Sequence, residues 1–164
     1  MSPPNPFESK HRDLLEPATH VQVQIFEDAT HNILSRNESP DLPFRWSLNL
    51  YRSCFHACAY CYGRPTHENW GFGAGTDFES KIIVKREAAT LLRQTFEKPS
   101  WKGELILFSG NTDCYQPLEA SPELTRACRE VCAEYRNPVW IIMKGVLVMR
   151  EESAPATFRR PGIE

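Results

Sequence analysis

Three cysteines, Cys54, Cys58 and Cys61, lie within the stretch Ser53-Cys-Phe-His-Ala-Cys-Ala-Tyr-Cys-Tyr-Gly63. No other segment gathers so many soft ligands in so little chain. Thiolate sulfur suits zinc, copper(I) and iron–sulfur clusters, because soft donors prefer soft or borderline metals. Three thiols at spacings of four and three residues leave one over if two of them pair as a disulfide. A structural zinc site is closed by four ligands, usually two pairs, and the second pair is missing here. Three ligands and no evident fourth leave one metal position open, and a 4Fe–4S cluster held this way exposes one iron to an outside ligand. His56 inside the loop, His67 just after it and Cys114 further on are the candidates for a fourth ligand. A lone His is more often an ordinary loop residue. The plain alternative, three buried unligated thiols, fits poorly with their clustering on one loop.

The elements that must hold this loop follow from hydrophobic period and turn chemistry. Val21-Gln-Val-Gln-Ile25 alternates as a half-buried strand does. Asn37-Glu-Ser-Pro40 and Pro43 mark turns. Trp46 to Arg52 alternates weakly and forms the strand that feeds the cysteines. Gly63 to Thr76 reads as a loop that packs Trp70 and Phe72 near the site. Its Gly71-Phe-Gly-Ala-Gly75 follows no strand, so a phosphate-cradle reading is weak. Ile82 to Val84 is a short strand. Arg86 to Lys98 is an amphipathic helix stopped by Pro99. Glu104 to Ser109 is a strand buried on both sides. Ser121-Pro122-Glu123 has the form of a helix start, with a hydroxyl cap and Pro in the first turn. Leu124, Ala127, Cys128, Val131, Cys132 and Tyr135 share the face that follows, so Cys128 and Cys132 read as core thiols. Val139 to Met143 is a further buried strand. Strands alternating with helices predict an α/β fold with a parallel sheet. Reactive groups in such folds collect at the carboxyl ends of the strands. The cysteine loop, the Gly110–Asp113 loop and Lys144 all fall there.

The pattern Cys-x-x-x-Cys-x-aromatic-Cys, with Tyr60 as the aromatic, resembles the signature of the radical S-adenosylmethionine (radical SAM) superfamily. Ser39-Pro-Asp-Leu-Pro-Phe44, Asn49-Leu-Tyr-Arg-Ser-Cys54, Tyr60-Cys-Tyr-Gly-Arg-Pro-Thr-His67, Asp77-Phe-Glu-Ser-Lys81 and Asn111-Thr-Asp-Cys-Tyr-Gln-Pro-Leu-Glu119 extend it. Together they resemble the branch around spore photoproduct lyase, over residues 32–150. The resemblance implies a 4Fe–4S cluster on Cys54, Cys58 and Cys61. The amino and carboxylate groups of S-adenosylmethionine then bind the open iron. One electron passes to the sulfonium, and the carbon–sulfur bond breaks to give methionine and a 5′-deoxyadenosyl radical that abstracts hydrogen from substrate. It places Tyr60 beside the adenine, with ordinary loop packing as the alternative. It places Gly110, Asn111, Thr112 and Asp113 at the methionyl amine, where the alternative is a turn in which Asp113 caps backbone N–H groups. Lys144 either faces the methionyl carboxylate or is a solvated strand-end lysine. Arg52 and Arg64 either tune the cluster by charge or are surface residues. Cys114 stands where this branch often has Pro. The reductant expected is a flavodoxin or ferredoxin.

The chain has 164 residues, 41% of them hydrophobic, enough for one domain with its own core. Its net charge of −2 does not support a nucleic-acid footprint, although the lyase resemblance makes a DNA substrate conceivable. The sequence does not name the substrate. No apolar run approaches a membrane span. Met1-Ser-Pro-Pro-Asn-Pro-Phe-Glu8 has no signal-peptide pattern. Six Cys without an export signal argue for reduced thiols and a cytoplasmic protein. Residues 1–20 read as a flexible Pro-rich arm, 21–150 as the core, and 151–164 as a disordered tail. The superfamily fold is a partial barrel of strand–helix units, of which this chain supplies roughly the N-terminal half. It looks truncated after the third unit, with unrelated codons at the end. A half-barrel with an open edge predicts self-association. The competing readings are a non-catalytic metal- or cluster-binding fragment and an inert product of a damaged gene.

Overall fold

The computed structural model describes residues 22–151. The arm over 1–20 and the tail beyond Glu151 lie outside the described residues. Seven strands form two sheets. The first, ordered β1–β5–β4, comprises Gln24–Glu27 (β1), Lys81–Val84 (β5) and Tyr51–Arg52 (β4). The second, ordered β2–β3–β6–β7, comprises Leu34–Arg36 (β2), Trp46–Leu48 (β3), Ile106–Phe108 (β6) and Val139–Ile141 (β7). The helices are Asp77–Ser80 (α1), Ala88–Phe96 (α2) and Leu124–Glu134 (α3).

The expected α/β alternation is present, but the sheets are mixed rather than parallel. β1 with β5, β3 with β6 and β6 with β7 are parallel, whereas β2–β3 and β4–β5 are antiparallel. The described residues close no barrel. The strand expected over 46–52 breaks at Asn49, for a reason visible in its carbonyls. Leu48 accepts the Ser109 N–H in one sheet, and Leu50 accepts the Lys85 N–H in the other. Asn49 is therefore the corner at which the two sheets meet. Its own Oδ1 accepts the Asn111 N–H at 2.9 Å.

The core lies between the sheets and the α2–α3 pair. Ala88, Leu92 and Phe96 recur every fourth residue along α2. Leu124, Thr125, Cys128, Val131 and Cys132 form the buried stripe of α3. Stripes of that period face one side of a helix, which is how both helices cover β5, β3 and β6. β1 is an exception. Its residues are all exposed, so the alternation read at 21–25 is not converted into a buried face. Trp46, Trp101, Phe96 and Tyr135 stack at the amino ends of β3, β6 and β7, and Trp101 donates to Asn137 Oδ1. The opposite end is left for the loops that carry the cysteines.

The start of α3 also differs from expectation. Ser121 makes no cap, and Glu123 occupies the cap position in the left-handed region, φ 47°. The buried Glu119 carboxylate accepts the Thr125 N–H at 2.6 Å instead. A charged acceptor makes a stronger hydrogen bond than a serine hydroxyl, so the cap moves to the neighbouring turn.

Lys85, only 4% exposed, follows β5. Burial first, and then the Arg52 charge, bring its ammonium down from 10.5 to about 8. Between those values the unfolded chain holds the extra proton, so stability rises as pH climbs through that window. Below pH 8 the penalty is complete. Lys85→Met is therefore expected to stabilise the fold at pH 7 by about 2–3 kcal/mol. Chemical denaturation at pH 7 and pH 10.5 checks this, since the gain must shrink at the higher pH.

Candidate functional site

The cysteine loop is a chain of tight turns leaving β4. The N–H of Ala57 bonds the Cys54 carbonyl, that of Cys61 the Cys58 carbonyl, and that of Arg64 the Cys61 carbonyl. Ser53 and Ala57, immediately before the first two cysteines, hold φ of 75° and 53°. Ser109, just before Gly110, holds φ of 69°. Such angles cost a non-glycine residue roughly 1–2 kcal/mol, and they cluster where the fold aims side chains for a purpose. Ala57→Val adds a β-branch to this conformation and is expected to cost about 1–2 kcal/mol. The melting temperature checks it.

Arg64 ties the loop together. Its guanidinium donates to the Ala57, Cys58, Ala74 and Gly75 carbonyls and reaches Glu79 Oε2 at 3.3 Å. Beneath the loop, Gln116 is fully buried. It accepts the Phe55 N–H at 2.7 Å and donates to the Ser53 carbonyl. Neither role is legible from composition, although both residues sit in the quoted motifs. Gly63 has a geometric reason. A Cβ there would lie 2.9 Å from Asn111 Oδ1 and 3.0 Å from its carbonyl. The cysteine loop and the loop after β6 touch at that point.

Cys54 is buried, and Cys58 and Cys61 are half-exposed. All six cysteines are free thiols. Burial pushes the Cys54 thiol up, while backbone N–H groups of His56 and Asp113 favour its thiolate. Lys144 arrives from the end of β7. Its Nζ stands 3.5 Å from Cys58 Sγ and 2.6 Å from Tyr60 Oη, and 4.9 Å from the Tyr60 ring centre. The Tyr60 and Cys58 acceptors raise the Lys144 ammonium. Tyr60 and Tyr62 are 81% and 74% exposed at the mouth. The Tyr62 hydroxyl donates to the Gly110 carbonyl.

The structure thus brings Cys58, Tyr60 and Lys144 into contact, with Gly110 and Asn111 against the same loop. Asn111 Nδ2 donates to Thr66 Oγ1. Thr112 is buried and donates to the Tyr51 carbonyl at 2.7 Å. Asp113 is also buried, and its carboxylate faces backbone N–H groups rather than open space. Oδ1 accepts from Tyr115, and Oδ2 from Lys144 and Gly145. His56 Nε2 stands 3.1 Å from Oδ2. Cys114 belongs to the core, and burial raises its thiol to about 12. Cys128 and Cys132 lie in the same core, as their helical period predicts.

His67 is not beside the thiols. It is buried between Phe72 and Phe78. Ser53 Oγ donates to the Lys81 carbonyl, so the 3.1 Å contact from His67 Nδ1 assigns the proton to that nitrogen. Burial lowers its pKa. Arg52 points away from the cysteines, to Asp28 at 3.0 Å with Trp70 over its guanidinium.

Among the described residues, no three His, Cys, Asp or Glu side chains are gathered closely enough to hold a metal ion as they lie. The donor set nevertheless suits a soft metal. Three reduced thiols share one turn-braced loop, two of them reach solvent, and rotation about χ1 redirects each sulfur. Among the described residues no helix is long and apolar enough to cross a membrane.

No family model matches the chain, and no solved structure matches it. An uncharacterized protein of Mycobacterium tuberculosis is 39% identical over 138 residues, which is 80% of this chain and 41% of the relative. Its counterpart in Mycobacterium bovis matches to the same extent. An uncharacterized protein of Methanocaldococcus jannaschii is 28% identical over 107 residues, covering 65% of this chain and 38% of that protein. The chain therefore spans about two fifths of the length of the curated relatives it matches.

Proposed function

We propose that the chain carries the cofactor end of a radical SAM protein. Cys54, Cys58 and Cys61 would hold a 4Fe–4S cluster, and S-adenosylmethionine would be the second cofactor. The observation that supports this most is the arrival of the Lys144 ammonium, from a different strand end, at 3.5 Å from Cys58 Sγ. The carboxylate of S-adenosylmethionine, brought to a cluster on these thiols, would meet that cation.

When bound, the cluster would supply the electron for reductive cleavage of the S-adenosylmethionine sulfonium. The chain's own residues bind and orient. Cys54 would be the buried ligand, with the His56 and Asp113 N–H groups favouring its thiolate. Cys58 and Cys61 are the half-exposed ones. The exposed Tyr60 ring offers a flat face to an aromatic base. Lys144 supplies the positive charge for a carboxylate. Gly110 and Asn111 supply backbone at the amine side. Asp113, whose oxygens are already engaged, acts on Lys144 rather than on the ligand. Free thiols suit a reducing, cytoplasmic setting with a low-potential flavodoxin or ferredoxin as donor. Remaining substrate specificity would come from other parts of a longer protein.

Anaerobic incubation with iron, sulfide and dithionite, followed by S-adenosylmethionine, tests this. Release of 5′-deoxyadenosine with methionine is expected. Stoichiometric zinc retained against iron and sulfide would instead favour a non-catalytic metal-binding protein.

A further inference from the structure

We infer that Asp113 is a positioning residue that holds Lys144 over the cysteine loop. Its side chain is 7% exposed and touches three separate segments. Oδ1 accepts the Tyr115 N–H at 2.8 Å, within its own loop after β6. Oδ2 accepts the N–H groups of Lys144 at 2.6 Å and of Gly145 at 2.8 Å, after β7. His56, inside the cysteine loop, places Nε2 at 3.1 Å from the same oxygen. The joint is packed as well as bonded. A Cβ on Gly145 would collide with the Tyr115 carbonyl oxygen, so only glycine fits there.

A lysine side chain loses up to about 2 kcal/mol of rotamer entropy when it is fixed. The Lys144 side chain is exposed, and among the described residues its ammonium meets Cys58 and Tyr60. Fixing its backbone from below is what makes a 3.5 Å approach to one thiol reproducible. A carboxylate suits this task because one oxygen can accept two adjacent N–H groups, as an anion in a backbone nest does. Asp113→Asn keeps the shape but replaces one acceptor oxygen by a donor, so it must lose either the Tyr115 bond or the Lys144–Gly145 pair.

This inference rests on the proposed function only for its purpose, so the first test uses metal-free protein. Lys144 is acetylated with a soluble succinimidyl ester and followed by peptide mass spectrometry, with exposed Lys98 and Lys102 as internal references. Asp113→Asn is expected to raise Lys144 labelling at least threefold while the references stay constant. Unchanged Lys144 labelling overturns the inference. Should that variant not fold, hydrogen exchange on the parent protein decides. The Lys144 and Gly145 amides must exchange at least tenfold more slowly than those of Lys102 and Gly103, and equal rates overturn it. In protein loaded with iron and sulfide, Asp113→Asn and Lys144→Gln should each release iron to a chelator several-fold faster than the parent, and the double variant no faster than either. Additive losses overturn the coupling. Failure to load iron at all counts against the proposed function, and the labelling then stands as the test of Asp113.

Discussion

Cys58→Ser is expected to lower iron bound after reconstitution by at least about tenfold, since even outer partners of a metal site cost 10–100-fold when removed. Cys61→Ser should do the same. Both residues are half-exposed and outside the core cluster, so the fold should keep its melting temperature. Cys54→Ser should also lose iron, with a measurable stability cost, because this thiol is buried beneath the loop. Cys114→Ser provides the contrast. That thiol sits in the core, where burial pushes it up to about 12. It should lose stability and keep its iron. The separation of the two quantities is the point. Metal content must follow the loop thiols, and melting temperature must follow the core thiols. Iron and sulfide assays beside a thermal melt on each variant measure both.

The second large effect lies behind the site. Glu119 is 4% exposed. Its carboxylate accepts the Tyr51 hydroxyl and the Thr125 N–H, joining β4 to the first turn of α3. Burial raises its pKa, and it also pushes up the Tyr51 phenol, with the Glu119 charge adding to the push. Glu119→Ala strands both donors in the core. At about 1–3 kcal/mol for each unsatisfied buried donor, the loss should be about 2–6 kcal/mol. Glu119→Gln keeps one acceptor and should lose less. Because the folded carboxyl takes up its proton more readily than the unfolded one, the stability it contributes is greatest in acid and declines as pH rises through the folded value. Urea unfolding of the two variants at pH 5 and pH 8 checks both the size and the sign. A Glu119→Ala loss that grows on going to pH 8 would contradict it.

The loop thiols and Glu119 show how far the sequence could be read. The three loop thiols were legible because their meaning lies in spacing, and spacing survives folding. The stripes of α2 and α3 were legible for the same reason. Glu119 was not, because nothing in the run Tyr-Gln-Pro-Leu-Glu shows that its carboxylate turns inward to replace Ser121 as the helix cap. Asn49 was not either. A residue in the middle of an alternating run carries no sign that its neighbours' carbonyls serve two different sheets. That corner hands β4 to the other sheet, where it runs antiparallel to β5. Asp113 reads from sequence either as an acceptor for a ligand or as a cap for local N–H groups; Oδ1 does cap the Tyr115 N–H, but Oδ2 takes N–H groups some thirty residues further along the chain. Local pattern names elements and donor types. Which donor meets which acceptor across the fold is decided by packing.

On the proposed reading, the cysteine loop holds a cluster with one iron left open to S-adenosylmethionine. The most direct measurement is EPR of the anaerobically reconstituted, reduced protein, recorded with and without that cofactor. A reduced 4Fe–4S signal whose g values change when S-adenosylmethionine is added is the predicted result. A cluster signal that is indifferent to the cofactor, or no cluster signal in protein that has bound zinc, would contradict it.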